Sequence, residues 1–190
     1  MIASFSKKFI FAKTRKTGGT SAEIILSSWC EKDDICSTIS GTDELLRKNY
    51  GGKARNFSGD ANIIKQFEDL VLLGNANKIQ AFRKSSMFHE IYYNHMTCLE
   101  IKKLLPQLWD VAHVFTVERH PYERAISAAW WAGRDDNQFN LSFWIDRVVK
   151  SKIFPNYPIY TDGKDILVDE VIPSDELDIR LKKLASSFGC

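Results

Sequence analysis

Apolar and polar positions alternate between two periods along this chain. Phe9-Ile-Phe-Ala12 is a continuous apolar run, the pattern of a strand covered on both faces. Ala22, Ile25, Leu26 and Trp29 then recur at i, i+3, i+4 and i+7, one stripe of a helix. Thr20 and Glu23 have capping-box spacing, which predicts a helix start just after Gly18-Gly19. A short strand is expected around Ile35–Ile39. A short helix and an exposed glycine-rich loop are expected over 42–62, then a helix carrying Ile63, Phe67, Leu70 and Val71 that ends at Gly74. The stretch 79–95 mixes aromatic and polar residues with neither period, so it receives no secondary structure and reads as core packing beside a cleft.

Farther on, Thr97 and Glu100 form a second capping-box pair ahead of Ile101, Leu104, Leu105 and Leu108, and Pro106 interrupts that helix. Ala112–Val117 is the second buried-strand run. Pro121 suits the first position of the helix after it, with Tyr122, Ile126 and Ala129 turned inward and Arg124, Ser127 and Trp131 sharing another face. A helix over Leu141–Val149 and a strand over Ile166–Ile172 follow. Last comes a helix capped by Ser174, with Leu177, Leu181, Leu184 and Phe188 on one stripe and Arg180, Lys182 and Lys183 solvated. Two strand–turn–helix units predict an α/β sheet with an anion site at the C-terminal ends of its strands.

Composition narrows this picture. The chain has 190 residues, 44% of them hydrophobic, which suits one domain over 1–190 with a sizeable core. Its 26 basic and 24 acidic side chains nearly cancel, so no global field points to nucleic acid or to a membrane surface. Neither is expected as a partner. Cys30, Cys36, Cys98 and Cys190 form no C-x-x-C pair and no zinc-type cluster, so reduced thiols and no metal are expected. With no signal-peptide apolar core and no apolar run of bilayer length, a soluble cytoplasmic protein is the expectation.

Charge must then act locally, and the turn after the first strand is where it concentrates. Lys13-Thr-Arg-Lys-Thr-Gly-Gly-Thr-Ser21 places three basic residues before paired glycines and a helix N-terminus. Glycines allow close backbone approach, and free N–H groups at a helix start attract anions, so the stretch reads as a phosphate or sulfate cradle. It is not the ATP-type G-x-x-x-x-G-K-[ST] loop, because Lys16 precedes both glycines.

Lys16-Thr-Gly-Gly-Thr-Ser21 after a strand resembles the 5′-phosphosulfate loop of sulfotransferases that use 3′-phosphoadenosine 5′-phosphosulfate (PAPS), whose carbohydrate-type members read P-K-T-[AG]-G-T-S. Arg15 stands at the usual proline. The second unit, Phe115 to Ser127 with Arg119-His-Pro-Tyr-Glu-Arg-Ala-Ile-Ser127 at its end, resembles their 3′-phosphate motif R-[DHN]-P-x-x-R-x-x-S. The resemblance runs from about Lys8 to Trp131. It implies a three-layer P-loop-like fold with a central, mainly parallel sheet flanked by helices. It also implies sulfuryl transfer from PAPS to a hydroxyl of a small-molecule or saccharide acceptor, leaving adenosine 3′,5′-bisphosphate without a metal.

Carried over residue by residue, the resemblance puts Lys16 at the bridging oxygen of the phosphosulfate. Arg15, Thr17, Gly18, Gly19, Thr20 and Ser21 line the 5′ end, and Arg119 and Ser127 hold the 3′-phosphate. Arg124 matches the motif's second arginine, with a helix-surface ion pair as the other reading. The candidate base is His95, with His89 and Glu90 behind it; His113 reads as a strand residue and His120 as a shaper of the turn. Two further functions fit the cradle. One is a nucleotide-dependent phosphotransferase with a variant P-loop, for which Glu118 is the available magnesium carboxylate. The other is a non-catalytic nucleotide-binding protein.

Overall fold

A computed structural model describes residues 1–190. In chain order the elements are β1 (Ile2–Ser4), β2 (Phe9–Ala12), α1 (Gly19–Ser28), β3 (Ile35–Cys36), α2 (Gly41–Asn49), α3 (Ala61–Leu72), α4 (Ala76–Arg83), α5 (Cys98–Leu104) and α6 (Pro106–Trp109). They continue with β4 (His113–Glu118), α7 (Pro121–Gly133), α8 (Leu141–Val149), α9 (Tyr157–Tyr160), β5 (Thr161–Asp162), β6 (Asp165–Ile166), β7 (Glu170–Pro173) and α10 (Leu177–Phe188). The main sheet has five strands in the order β3-β1-β2-β4-β7, and β5 and β6 form a separate two-stranded ribbon.

The main sheet is mixed. Pairings β2·β4 and β4·β7 are parallel, while β1 runs antiparallel to both β2 and β3. The expectation of a mainly parallel sheet therefore holds for its β2-β4-β7 half only. The hairpin joining β1 to β2 is too short for the crossover that a parallel pair needs.

Alternation along the strands divides the core between the two sheet faces. Phe9, Phe11, Phe115 and Val117 point to one side, where Ala22 and Leu26 of α1 and Leu177, Leu181 and Leu184 of α10 cover them. Ile10, Ala12 and Val114 point to the other, against Met96, Cys98, Ile101, Leu105 and Leu108. Helices thus flank the sheet on both faces. A third cluster holds Phe57, Ile63, Phe67 and Ile79, with Phe82 and Phe88 packed on it. These last two come from the unassigned 79–95 stretch, whose first residues complete α4. The four cysteines are free, and no helix is long and apolar enough to cross a membrane.

Several local expectations need correction. The Thr20–Glu23 capping box does not form: α1 has Gly18 as its N-cap and no side-chain cap, because Glu23 turns inward. In α7 the inward residues are Arg124, Ala125, Ala129 and Gly133, while Tyr122 is 78% and Ile126 48% exposed. Ala125, Ala129 and Gly133 recur every fourth residue, and their small side chains let neighbouring elements approach. A Cβ on Gly133 would lie 2.5 Å from Trp144 of α8. The strand expected at 166–172 splits into β6 and β7. Ser174 does not cap α10: its N–H donates to the Glu118 carbonyl at 2.8 Å, extending the β4·β7 edge, and the helix begins after Glu176. Arg180 is not simply solvated, since it pairs with Glu170.

Gly41 marks a close backbone approach: a Cβ there would sit 2.1 Å from the Ala76 carbonyl oxygen, where α2 meets the start of α4. Gly41→Ala is expected to cost about 2 kcal/mol of stability through overpacking. A urea midpoint equal to that of the parent protein would refute this backbone contact.

Candidate functional site

Parallel pairing makes the site. With Ala12 opposite Thr116 and Glu118 opposite Pro173, the C-terminal ends of β2, β4 and β7 lie side by side. The loop after β2 and the turn before α7 therefore leave the sheet at one edge, which is where ligands bind in open α/β sheets. This brings Lys16 and Arg119 to a common mouth although 103 positions separate comparable points of the two segments.

The loop is tied down from within. Thr14 donates its hydroxyl to the Val117 carbonyl and so receives the Thr17 hydroxyl at 2.9 Å. The hydroxyl of Thr17 is thereby turned into the protein, leaving its backbone to the mouth. Asn156 grips the loop from outside: its Oδ1 accepts from the Arg15 N–H at 2.9 Å and its Nδ2 donates to the Arg15 carbonyl at 3.0 Å. Lys16 and Gly18 both take positive φ, 62° and 84°. At Gly18 this conformation costs little, whereas a side chain there would be strained. Because α1 lacks a side-chain cap, its first-turn N–H groups, including those near Thr20 and Ser21, remain available to an anion.

Lys13 is not a mouth cation. It is 5% exposed, and its Nζ lies 2.6 Å from Glu23 Oε2 and 3.2 Å from Asn94 Oδ1. Glu23 also accepts from the Met1 amino group at 2.6 Å. Burial alone would raise the Glu23 carboxyl, but Lys13, the Met1 amino group and Arg47 outweigh it and hold it well below the ordinary carboxylate range.

Lys16 has a different environment. Its Nζ lies 4.6 Å from the centre of the Trp131 ring, and the Arg134 guanidinium lies 4.0 Å from the same centre. Burial, then Arg134 and Arg119, lower the Lys16 ammonium below its ordinary value, so three cations share this mouth. Arg119 donates to Glu123 at 3.0 Å on an exposed helix face, a pairing that a bound anion can outcompete. Ser127 sits half-buried on α7, one turn before Trp131.

Arg124 belongs to the scaffold. It is buried, donates to the Phe154 carbonyl at 2.6 Å, packs over the Phe154 ring and pairs with Glu118 at 3.7 Å. Glu118 in turn accepts from Asn156 and from the Arg119 N–H.

His95 reaches the loop from the segment before α5. Its Nδ1 is 3.1 Å from the Lys13 carbonyl, and a carbonyl only accepts, so Nδ1 carries the hydrogen and Nε2 keeps the lone pair. Burial first, then the Lys13 ammonium, push the imidazole down to about 4, so it is neutral at physiological pH. Asn94 next to it donates to the Thr38 carbonyl at 2.6 Å and accepts from Lys13 Nζ at 3.2 Å, which ties this segment to the residues after β3 and to the end of β2. Glu90 lies in the same polar network through Thr38, and burial raises its carboxyl. His113 pairs with Glu170 at the opposite end of β4, and the His120 ring lies tilted against Tyr122 at the turn, centres 5.3 Å apart.

No family model, curated protein or solved structure matches the chain. The site therefore stands on its own geometry. Lys16, Arg119, the start of α1 and the His95 segment converge at one sheet edge. Asn156, Trp131 and Arg134 join them without any motif to announce them. Only the position of Trp131 on the Arg124–Ser127 face hinted at its place.

Proposed function

We propose that the chain is a PAPS-dependent sulfotransferase acting on a hydroxyl, with a saccharide as the first acceptor class to examine. The observation that carries this reading is the set of three cations, Lys16, Arg119 and Arg134, gathered at the uncapped start of α1. Like charges drawn together without a shared buried carboxylate define a place for a multiply charged anion. The three-layer P-loop-like arrangement belongs to the same proposal.

In this reading the backbone N–H groups of Thr17 to Ser21 bind the 5′ end of the donor, and Arg119 with Ser127 holds its 3′-phosphate. Arg15 adds charge at the loop entry. Donors fixed on a loop stabilise charge on the transferred group without reorganising. Lys16 offsets charge developing on the departing phosphate oxygen. His95 Nε2 takes the proton of the acceptor hydroxyl. The phosphotransferase alternative asks Glu118 to hold magnesium, but that carboxylate is already engaged by Asn156, Arg119 and Arg124.

Calorimetry with adenosine 3′,5′-bisphosphate and with ATP plus magnesium tests the reading, followed by transfer of radiolabelled sulfate to a saccharide panel. Tighter binding of the bisphosphate and labelled product are expected; preference for ATP with magnesium overturns it. Bisphosphate binding without transfer across the panel would favour a nucleotide-binding protein.

A pH profile examines His95 separately. Its folded pKa lies below the ordinary imidazole value, so the basic form persists until about pH 4. The acidic limb of transfer should therefore fall near 4, with full rate at pH 5.5 on the order of one unit or more above that limb. A limb near the ordinary histidine value that disappears in His95→Asn would contradict the buried, neutral placement.

A further inference from the structure

Lysines at this edge meet two different fates. Lys13 is committed to Glu23 at 2.6 Å inside the protein. Lys16 has no carboxylate within ion-pair distance and rests on the face of Trp131, an indole that is 57% exposed. The distinction matters for a cation that must meet an anion. A carboxylate would neutralise the ammonium and compete with the ligand, whereas an aromatic face attracts it through the ring quadrupole and leaves its charge uncompensated.

Backbone geometry points the same way. Lys16 takes φ 62°, a left-handed conformation that L side chains adopt only when their surroundings hold them there. The loop is fixed on either side of it by the Thr14–Val117 and Asn156–Arg15 hydrogen bonds, so the side chain leaves the backbone in one direction, toward α7. There it meets Trp131, one turn beyond Ser127. Arg134, one turn farther, lies on the same ring and donates to the Trp131 carbonyl at 2.8 Å. That bond keeps Arg134 beside the indole, and its charge repels the Lys16 ammonium.

We infer that Trp131 is the positioning residue of Lys16, holding its ammonium at the mouth of the cradle on an aromatic face with Arg134 beside it, so that an incoming anion is met by an ammonium with no carboxylate partner and by a guanidinium whose own ion pair, to Asp135 at 3.7 Å, is exposed. Trp131 acts through Lys16 and need not touch the ligand. The inference rests on the proposed donor reading for what Lys16 does, but not for the contact itself. An anion that engages Lys16 and Arg134 together relieves their mutual repulsion, which ties binding to the arrangement Trp131 maintains.

The contact has a signature that does not depend on activity. Protons on Cε of a lysine lying over an indole are shifted upfield by the ring current. In protein labelled at lysine Cε, the resonance assigned by Lys16→Arg should be upfield of the other exposed lysines, Lys102 excepted because it too faces an indole, Trp109, at 5.9 Å. It should move to their range in Trp131→Leu and stay upfield in Trp131→Phe. Affinity for adenosine 3′,5′-bisphosphate should fall about 2- to 5-fold in Trp131→Leu and recover in Trp131→Phe. Because Trp131 is exposed, both variants are expected to keep the parent's thermal transition. An unshifted Lys16 resonance in the parent protein, or equal affinity losses in the Leu and Phe variants, overturns the inference. A shifted resonance in a protein that binds no bisphosphate upholds the contact and overturns the donor reading instead.

Discussion

Lys16→Ala is expected to lower sulfuryl transfer by about 10³-fold while changing bisphosphate affinity far less. The ammonium has no carboxylate partner, so in the proposed reaction charge that builds on the departing oxygen finds its counter-charge there. The ground-state anion keeps other partners in this reading: the first-turn N–H groups of α1, Arg119 and Ser127. A loss of rate far larger than the few-fold loss of affinity is therefore the signature, read by single-turnover transfer of radiolabelled sulfate beside calorimetry. A variant that loses affinity and keeps its rate would move Lys16 from the transfer step to simple binding. The fold is not at stake, because Lys16 is only half-buried and the loop is held by Thr14 and Asn156.

The second large effect is on stability. Glu23→Gln should cost about 3–5 kcal/mol, because it leaves the Lys13 ammonium buried without its counter-charge. Both side chains are almost fully enclosed, Glu23 at 0% and Lys13 at 5% exposure. Urea unfolding at pH 7 reads the loss, and a midpoint within error of the parent's would remove this pair as a structural element. The pH dependence follows from the direction of the shift. The folded Glu23 carboxyl lies below its unfolded value, so its stabilisation is complete above the ordinary carboxylate range and is lost as pH falls through the folded value. The Gln variant should lack that part of the acid-side slope. His95 adds to the acid sensitivity: below the ordinary imidazole value the unfolded chain takes up a proton that the folded His95 refuses until about pH 4.

Much of this framework was legible in the sequence where local pattern and tertiary demand agree. Phe9–Ala12 is β2, the Thr97–Glu100 box caps α5, Pro121 opens α7, and the helix expected over Leu141–Val149 is α8. Patterns failed where a side chain had a stronger distant partner. Glu23 has the spacing of a cap residue, yet a buried ammonium ten residues back outbids an exposed backbone N–H. Lys13 reads as one of three like cations in a row, but its place at the end of a fully buried strand sends it inward. The mouth was legible in Lys16 and Arg119 because spacing within each unit carries them. Asn156 and Arg134 were not, since each is a single polar residue in an irregular stretch whose meaning exists only after the strands pair.

Asn156 has a consequence for the order of events during folding. Its carboxamide stands in for a neighbouring strand, taking both the N–H and the carbonyl of Arg15 across 141 positions of sequence. Contacts of such separation carry a large loop-closure cost and form late relative to local structure. The cradle therefore acquires its shape only when the two ends of the chain have met, and an anion that fits it recognises the completed protein. Such a ligand stabilises the native state by mass action and serves as a reporter of folding as well as of chemistry.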